Sequence, residues 1–241
     1  GNTETKIWLV SNKNKIIKKI NFSSKEITNY KLSILLKKNN FKFKDIKKIL
    51  FCSVVPQTFN LIKKFLSKKT NRNCYEVKNL NLKSLIKVKV DYKQVGSDRI
   101  TNAISLMNGK NNFIILDFGT ATTFDVIVKK IYFGGIIAPG VKLSLNSLSD
   151  RATLIPKIDL KKISKVIGNN TISAVRSGFF WGYAGLIDNI INLIKKETRK
   201  SFKVIITGGF SGLFKNSIKT KVSQNQNITI KGLIKISRLI K

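Results

Sequence analysis

Along the first 110 positions apolar residues recur in two rhythms. Short runs rich in β-branched and aromatic side chains, near 5–10, 15–20 and 48–55, read as strands, and a further one lies near 73–77. Between them, apolar positions three and four apart predict helices near 28–39 and 57–68. A less regular stretch follows, and the polar Asn108-Gly109-Lys110-Asn111-Asn112 separates it from a run at 113–128 that reads as a hairpin of two buried strands. Beyond the glycine-rich segment 132–140 the pattern predicts a helix over about 140–149 and a long helix over about 170–198. A buried strand at 202–209 and a terminal helix close the chain. Asn170 or Thr171 suits the cap of the long helix. Gly178, Gly182 and Gly185 lower its propensity and are expected to allow close packing against a neighbour. Both halves mix strands and helices. The expected fold class is α/β with two similar lobes, residues 1–109 and 110–241, and a ligand cleft between them.

The hairpin carries the clearest chemistry. Its first strand ends in Asp117-Phe118-Gly119-Thr120-Ala121-Thr122-Thr123. Glycine at the turn offers a backbone with φ > 0 and close approach of main-chain N–H groups to an anion, while the threonines add hydroxyl donors. Asp117 could face a cation bound to that anion, since hydrated Mg²⁺ takes only one or two carboxylates from a protein. The chain opens on a similar pattern, Gly1-Asn2-Thr3-Glu4-Thr5-Lys6, just ahead of the apolar Ile7-Trp8-Leu9-Val10. Either segment alone reads as an ordinary glycine-containing turn. As a pair they favour a duplicated nucleotide-binding fold.

Composition narrows the chemistry. A chain of 241 residues is long enough for one large domain or two of roughly 100–130 residues. No charge-free run of 18 apolar residues exists and the N-terminal stretch lacks a basic-then-apolar leader, so a cytoplasmic protein with no membrane span is expected. Cys52 and Cys74 are too few for a metal site of their own and read as buried, reduced thiols. The absence of histidine excludes Ser-His-Asp and Cys-His nucleophile systems and HExxH zinc sites. No P-loop or Gly-x-Gly-x-x-Gly fingerprint is present. Twelve carboxylates remain, of which Asp98, Asp117, Asp125, Asp150 and Asp188 stand beside glycines or apolar runs and are candidates for chemistry.

The formal charge of +34 would ordinarily point to nucleic acid. Only six of the 46 basic residues are arginines, although base and phosphate readers favour the bidentate guanidinium. Lysine, asparagine and isoleucine share A/T-rich codons, so the charge reads as compositional drift on a tolerant surface, and specific nucleic-acid binding is not expected.

Six motifs stand in order along the chain: Gly1-Asn2-Thr3, Gly96-Ser97-Asp98-Arg99, Asp117-Phe118-Gly119-Thr120-Ala121, Gly134-Gly135-Ile136-Ile137-Ala138-Pro139-Gly140, Gly168-Asn169-Asn170-Thr171 and Thr207-Gly208-Gly209. Together, and with the closing segment 228–233, they resemble type III pantothenate kinase over essentially the whole chain. The resemblance implies the duplicated lobes of the actin-like, sugar-kinase and Hsp70 superfamily. It implies transfer of the ATP γ-phosphoryl group to the primary hydroxyl of pantothenate, the first step towards coenzyme A. Homodimers needing Mg²⁺ and a monovalent cation, K⁺ or NH₄⁺, are implied as well.

By the same resemblance Asp98 matches the family's proton acceptor, and Tyr92, Gly96, Ser97, Asp98, Arg99 and Thr171 match its pantothenate contacts. Arg99 suits the pantothenate carboxylate because a planar guanidinium pairs with it in a bidentate way. Asp117 matches the monovalent-cation ligand and Thr120 an ATP contact. Gly1, Asn2, Thr3, Glu4, Thr5 and Lys6 match the end of the first phosphate loop, and Gly208 and Gly209 the adenosine motif. The sequence departs from the family at Ser97, where alanine is usual. The family also places an aspartate two residues ahead of Gly-Asn-Thr, a position before Gly1, which reads as a truncated start. The alternative function is a non-catalytic homologue acting as a transcription accessory or nucleic-acid-binding factor, which the basic charge would serve.

Overall fold

The structure, a computed structural model, describes residues 3–240. Its contacts divide into two units: Gly1–Leu85, Asp91–Ser105 and Thr229–Lys241 form the first, and Ile86–Val90 and Leu106–Ile228 the second. Each mixes strands and helices.

In the first unit, β1 (Glu4–Val10) and β2 (Ile16–Ser23) form an antiparallel hairpin with Ile7 opposite Ile20. Helix α1 (Asn29–Lys38) begins where the Thr28 hydroxyl accepts from the Lys31 N–H at 3.2 Å, as an N-cap should. Strands β3 (Ile49–Phe51) and β4 (Cys74–Glu76) pair in parallel, joined by α2 (Pro56–Thr70), which has Pro56 in its first turn and ends on Asn71 at φ 52°. Ile20, Leu32, Leu36, Ile49, Ile62 and Leu66 bury the inward faces of these elements. The irregular stretch of the sequence reading contains a helix that periodicity missed, α3 (Ser97–Leu106).

The second unit is a six-stranded mixed sheet. In it β5 (Lys87–Val88) pairs in parallel with β8, and β6 (Asn112–Phe118) and β7 (Ala121–Val128) form the expected hairpin. The glycine-rich segment is strand β8 (Ile131–Pro139), antiparallel to β7; β9 (Lys203–Gly208) runs parallel to β6, and β10 (Val222–Gln224) parallel to β9. The order is β10-β9-β6-β7-β8-β5. Helices α4 (Val141–Arg151) and α5 (Thr171–Thr198) share a core with one face of the sheet, where Phe180, Ile187 and Ile191 meet Ile114, Leu116, Phe124 and Ile206. A short helix, α6 (Ser211–Phe214), follows β9, and Phe214 stacks between Phe118 and Phe180 at 5.3 and 5.6 Å.

The α5 glycines do not do what propensity suggested. Gly178, Gly182 and Gly185 lie on an exposed face, and a Cβ on any of them would meet nothing within 4 Å. The close contact of the first unit falls instead at Gly232 of the terminal helix α7 (Ile228–Ser237), where a Cβ would collide with the Thr101 carbonyl of α3. Thr229 Oγ1 donates to Asn102 Oδ1 at 2.8 Å beside it. No helix among the described residues is long and apolar enough to cross a membrane.

Candidate active site

The first unit presents Asp98 on the opening turn of α3. Its Oδ1 accepts from the Arg99 N–H at 2.9 Å, which folds the carboxylate back over Gly96. A Cβ on Gly96 would overlap Asp98 Oδ1 and stand 3.7 Å from Val54 Cγ1. Glycine at 96 is therefore a condition of where the carboxylate sits. Ser97, an alanine in the resembling family, is buried and used: its Oγ donates to the Ser53 carbonyl at 2.8 Å, and Thr101 Oγ1 donates to the Ser97 carbonyl at 2.6 Å. Cys52 Sγ lies 3.4 Å from Thr101 Oγ1 and 3.6 Å from Ser97 Oγ. Burial pushes the Cys52 thiol up to about 11, so it is a protonated packing group and not a nucleophile. These bonds tie the head of α3 to the segment after β3.

Tyr92 stands just ahead of that head. Lys78 Nζ donates to its carbonyl at 2.8 Å and lies 5.0 Å from its ring centroid. The phenolic oxygen is buried and meets no hydrogen-bond partner among the described residues. Desolvation raises the phenol above its ordinary value, so the hydroxyl stays protonated at neutral pH. A buried hydroxyl without a partner suits a ligand that supplies one.

In the second unit the β6–β7 turn meets two glycines distant in sequence. Asp117 is paired with Thr123 on β7 and Thr207 on β9, and the tight turn is closed by the Gly119 N–H donating to the Ala121 carbonyl at 3.1 Å. Gly119 does not take the positive φ expected for it; that conformation belongs to Gly208, at φ 87°. A Cβ on Gly208 would lie 2.5 Å from the Phe118 carbonyl oxygen, and the Gly209 N–H donates to that same oxygen at 3.1 Å. From the other side Gly140, which precedes α4, leaves no room for a Cβ against the Thr120 carbonyl. Two remote stretches, Gly208–Gly209 and Gly140, thus close on Phe118–Thr120 through backbone alone. Thr120 and Gly209 stay exposed at its rim. Such a glycine-lined turn, free of side-chain bulk and with the Thr120 hydroxyl at its rim, fits the close approach of a phosphorylated ligand. Gly140 closes one of the motifs read from the sequence but was given no site role there, because nothing local links it to the hairpin.

Thr3, Glu4, Thr5 and Lys6 run into β1. There Glu4 pairs with Lys6 at 3.3 Å and Thr5 Oγ1 shares a hydrogen with Ser24 Oγ at 2.7 Å. Gly1 and Asn2 lie outside the described residues. Thr171 is the first residue of α5 but not its cap: Asn170 Oδ1 accepts from the Ser173 N–H at 2.9 Å, and Ser173 Oγ accepts from the Asn170 N–H in return. Thr171 is left exposed, with its hydroxyl outside the capping bonds.

The remaining candidate acids separate by role. Asp125 is buried and accepts from Tyr132 Oη at 2.6 Å. Asp188 accepts from the backbone N–H groups of Lys219 and Thr220 at 2.8 and 3.0 Å, clamping the loop after α6. Asp150 is exposed. No group of three or more Cys, Asp or Glu side chains gathers among the described residues. Asp117, a half-buried carboxylate near the strand end outside any such group, fits a hydrated cation that also rests on a ligand's phosphates, and does not fit an all-protein metal cage.

Comparison with known proteins places the chain in a family. The family model of type III pantothenate kinase matches residues 1–193. A type III pantothenate kinase of Pelagibacter ubique is 66% identical over 241 residues, covering 100% of this chain and 97% of that one. Two solved structures share the fold alone. One, from Sinorhizobium meliloti with the provisional name 2-dehydro-3-deoxygalactonokinase, has TM-score 0.61 at 8% identity, covering 100% of this chain and 97% of the other. The second, from Campylobacter jejuni and provisionally named a Baf family transcriptional activator, has TM-score 0.54 at 21% identity, covering 92% and 90%. The fold is that of the actin-like and sugar-kinase ATPases, and the chain belongs to the type III pantothenate kinase family.

Proposed function

We propose that the chain transfers the γ-phosphoryl group of ATP to the primary hydroxyl of pantothenate, yielding phosphopantothenate and ADP, the first step towards coenzyme A. The observation that carries this is the Asp98 carboxylate folded over Gly96 beside Arg99. In the reaction a bond forms between the pantothenate hydroxyl oxygen and the γ-phosphorus. The bond from that phosphorus to the β,γ-bridging oxygen breaks, and its electrons leave with ADP. Asp98 orients the hydroxyl and takes its proton, Arg99 pairs with the pantothenate carboxylate, and Tyr92 and Thr171 supply hydroxyls to the substrate. Thr120 and the glycine turns hold the nucleotide, with Thr3–Lys6 contributing from β1. Mg²⁺ at the phosphates and K⁺ or NH₄⁺ at Asp117 would neutralise developing charge, the main requirement of phosphoryl transfer.

A homodimer and a cytoplasmic location belong to the same reading. The open face of Gly178, Gly182 and Gly185 gives a second copy room to approach α5 closely, and sedimentation at micromolar concentration reads the dimer. The assignment of Asp98 is tested by Asp98→Asn in the intact protein. General-base loss costs about 10²- to 10⁴-fold, so kcat falls by that factor while ATP binding and the melting profile persist. Retention of more than about half of kcat would remove Asp98 from the proton-transfer role.

A further inference from the structure

Ser211 is fully buried and its hydroxyl is saturated by three polar contacts. Its Oγ donates to the Gly208 carbonyl at 2.8 Å and accepts from Gln224 Nε2 at 2.9 Å and Gln226 Nε2 at 2.7 Å. Gln226 Nε2 also reaches the Gly208 carbonyl at 3.3 Å. A serine hydroxyl has one proton to give and two lone pairs to receive with, so this one is fully used. Strand β10 already has its ladder to β9, and the Asn225 N–H donates to the Ile206 carbonyl at 2.9 Å, so these glutamine bonds are not needed to hold the strand. They converge on the Ser211 hydroxyl, which with Gln226 holds the Gly208 carbonyl, in the turn where positive φ and contact with Phe118 leave only glycine.

We infer that Ser211, oriented by Gln224 and Gln226, is a positioning residue for the nucleotide, fixing the Gly208–Gly209 turn against the Phe118–Thr120 hairpin. It touches no reacting atom. With the Gly208 carbonyl held by Ser211 and Gln226, and the Gly209 N–H held by Phe118, the turn has one conformation to offer a ligand, and binding loses no free energy to ordering it. The inference rests on the kinase reading only for the identity of the ligand as an adenine nucleotide.

Ser211→Ala and the double variant Gln224→Ala/Gln226→Ala test it in the intact protein. The double variant changes only exposed side chains and so keeps the test open should Ser211→Ala fold poorly. ADP affinity is measured directly by calorimetry, and KM for ATP, KM for pantothenate and kcat by steady-state kinetics. Loss of the clamp is expected to weaken ADP binding and raise KM for ATP about tenfold, the size of a lost hydrogen bond, with kcat and KM for pantothenate within twofold. A purely structural role would instead lower apparent kcat and the calorimetric stoichiometry through the folded fraction and leave ADP affinity and both KM values unchanged. Unchanged ADP affinity in the double variant, or an equal rise in both KM values, would overturn the inference. Should the parent protein bind ADP but leave pantothenate unphosphorylated, weaker ADP binding in the variants would still uphold the clamp while the kinase reading fell.

Discussion

Replacing Gly96 by alanine adds one methyl group, and that group would occupy the place of the Asp98 carboxylate oxygen. Gly96 stands just ahead of α3 without a positive φ, and Val54 Cγ1 at 3.7 Å is in ordinary contact, so the expected loss is catalytic: kcat falls at least tenfold with KM for ATP unchanged, because the acid is displaced. A variant with the parent's kcat would show that the carboxylate acts from another rotamer. Arg99→Lys keeps the charge and loses the planar fork, so KM for pantothenate is expected to rise about tenfold with KM for ATP unaffected. Equal effects on both substrates would argue against a carboxylate partner. At this scale the sequence was legible wherever a residue type is constrained by its neighbours in the chain, as in Gly96-Ser97-Asp98-Arg99. The roles of Gly140 and Ser211 were not legible, because Thr120 and the two glutamines that meet them are distant in sequence and reach them only through the fold.

Asp188 of helix α5 accepts two backbone N–H groups of the loop after α6. Asp188→Ala strands both donors. By the cost of lost hydrogen bonds to a charged acceptor, about 1–3 kcal/mol of stability should disappear in denaturant melts, with pantothenate affinity kept. A change below about 0.5 kcal/mol would mean that water replaces the carboxylate at little cost. Apolar period made α1 and α2 readable, period with a capping residue made α5 so, and the β6–β7 hairpin followed from its apolar runs. Helix α3 escaped because its buried face is partly polar. Ser97, Thr101 and Asn102 face inward and are satisfied by Ser53, by the Ser97 carbonyl and by Thr229, so apolar periodicity understates the helix. Strand β8 was hidden by Gly134-Gly135, which weaken any strand signal although both residues sit in the ladder to β7.

The whole molecule carries 46 basic and 12 acidic side chains, so most of its lysines can have no acidic partner. Binding to random duplex DNA should follow phosphate neutralisation alone: weak, indifferent to sequence, and lost between low and physiological salt as counterion release stops favouring it. Sequence-selective binding at submicromolar concentration and physiological salt would instead give the charge a function. Pantothenate phosphorylation makes a demand that no charge argument makes, because it requires the acceptor and the nucleotide together. The direct measurement is ADP release by the intact protein in a coupled assay with Mg²⁺ and K⁺, with and without pantothenate, and the product identified by mass spectrometry. The account predicts ADP release that depends on pantothenate and matches phosphopantothenate one for one. ADP release indifferent to pantothenate, or none from folded protein that binds ATP, would contradict it.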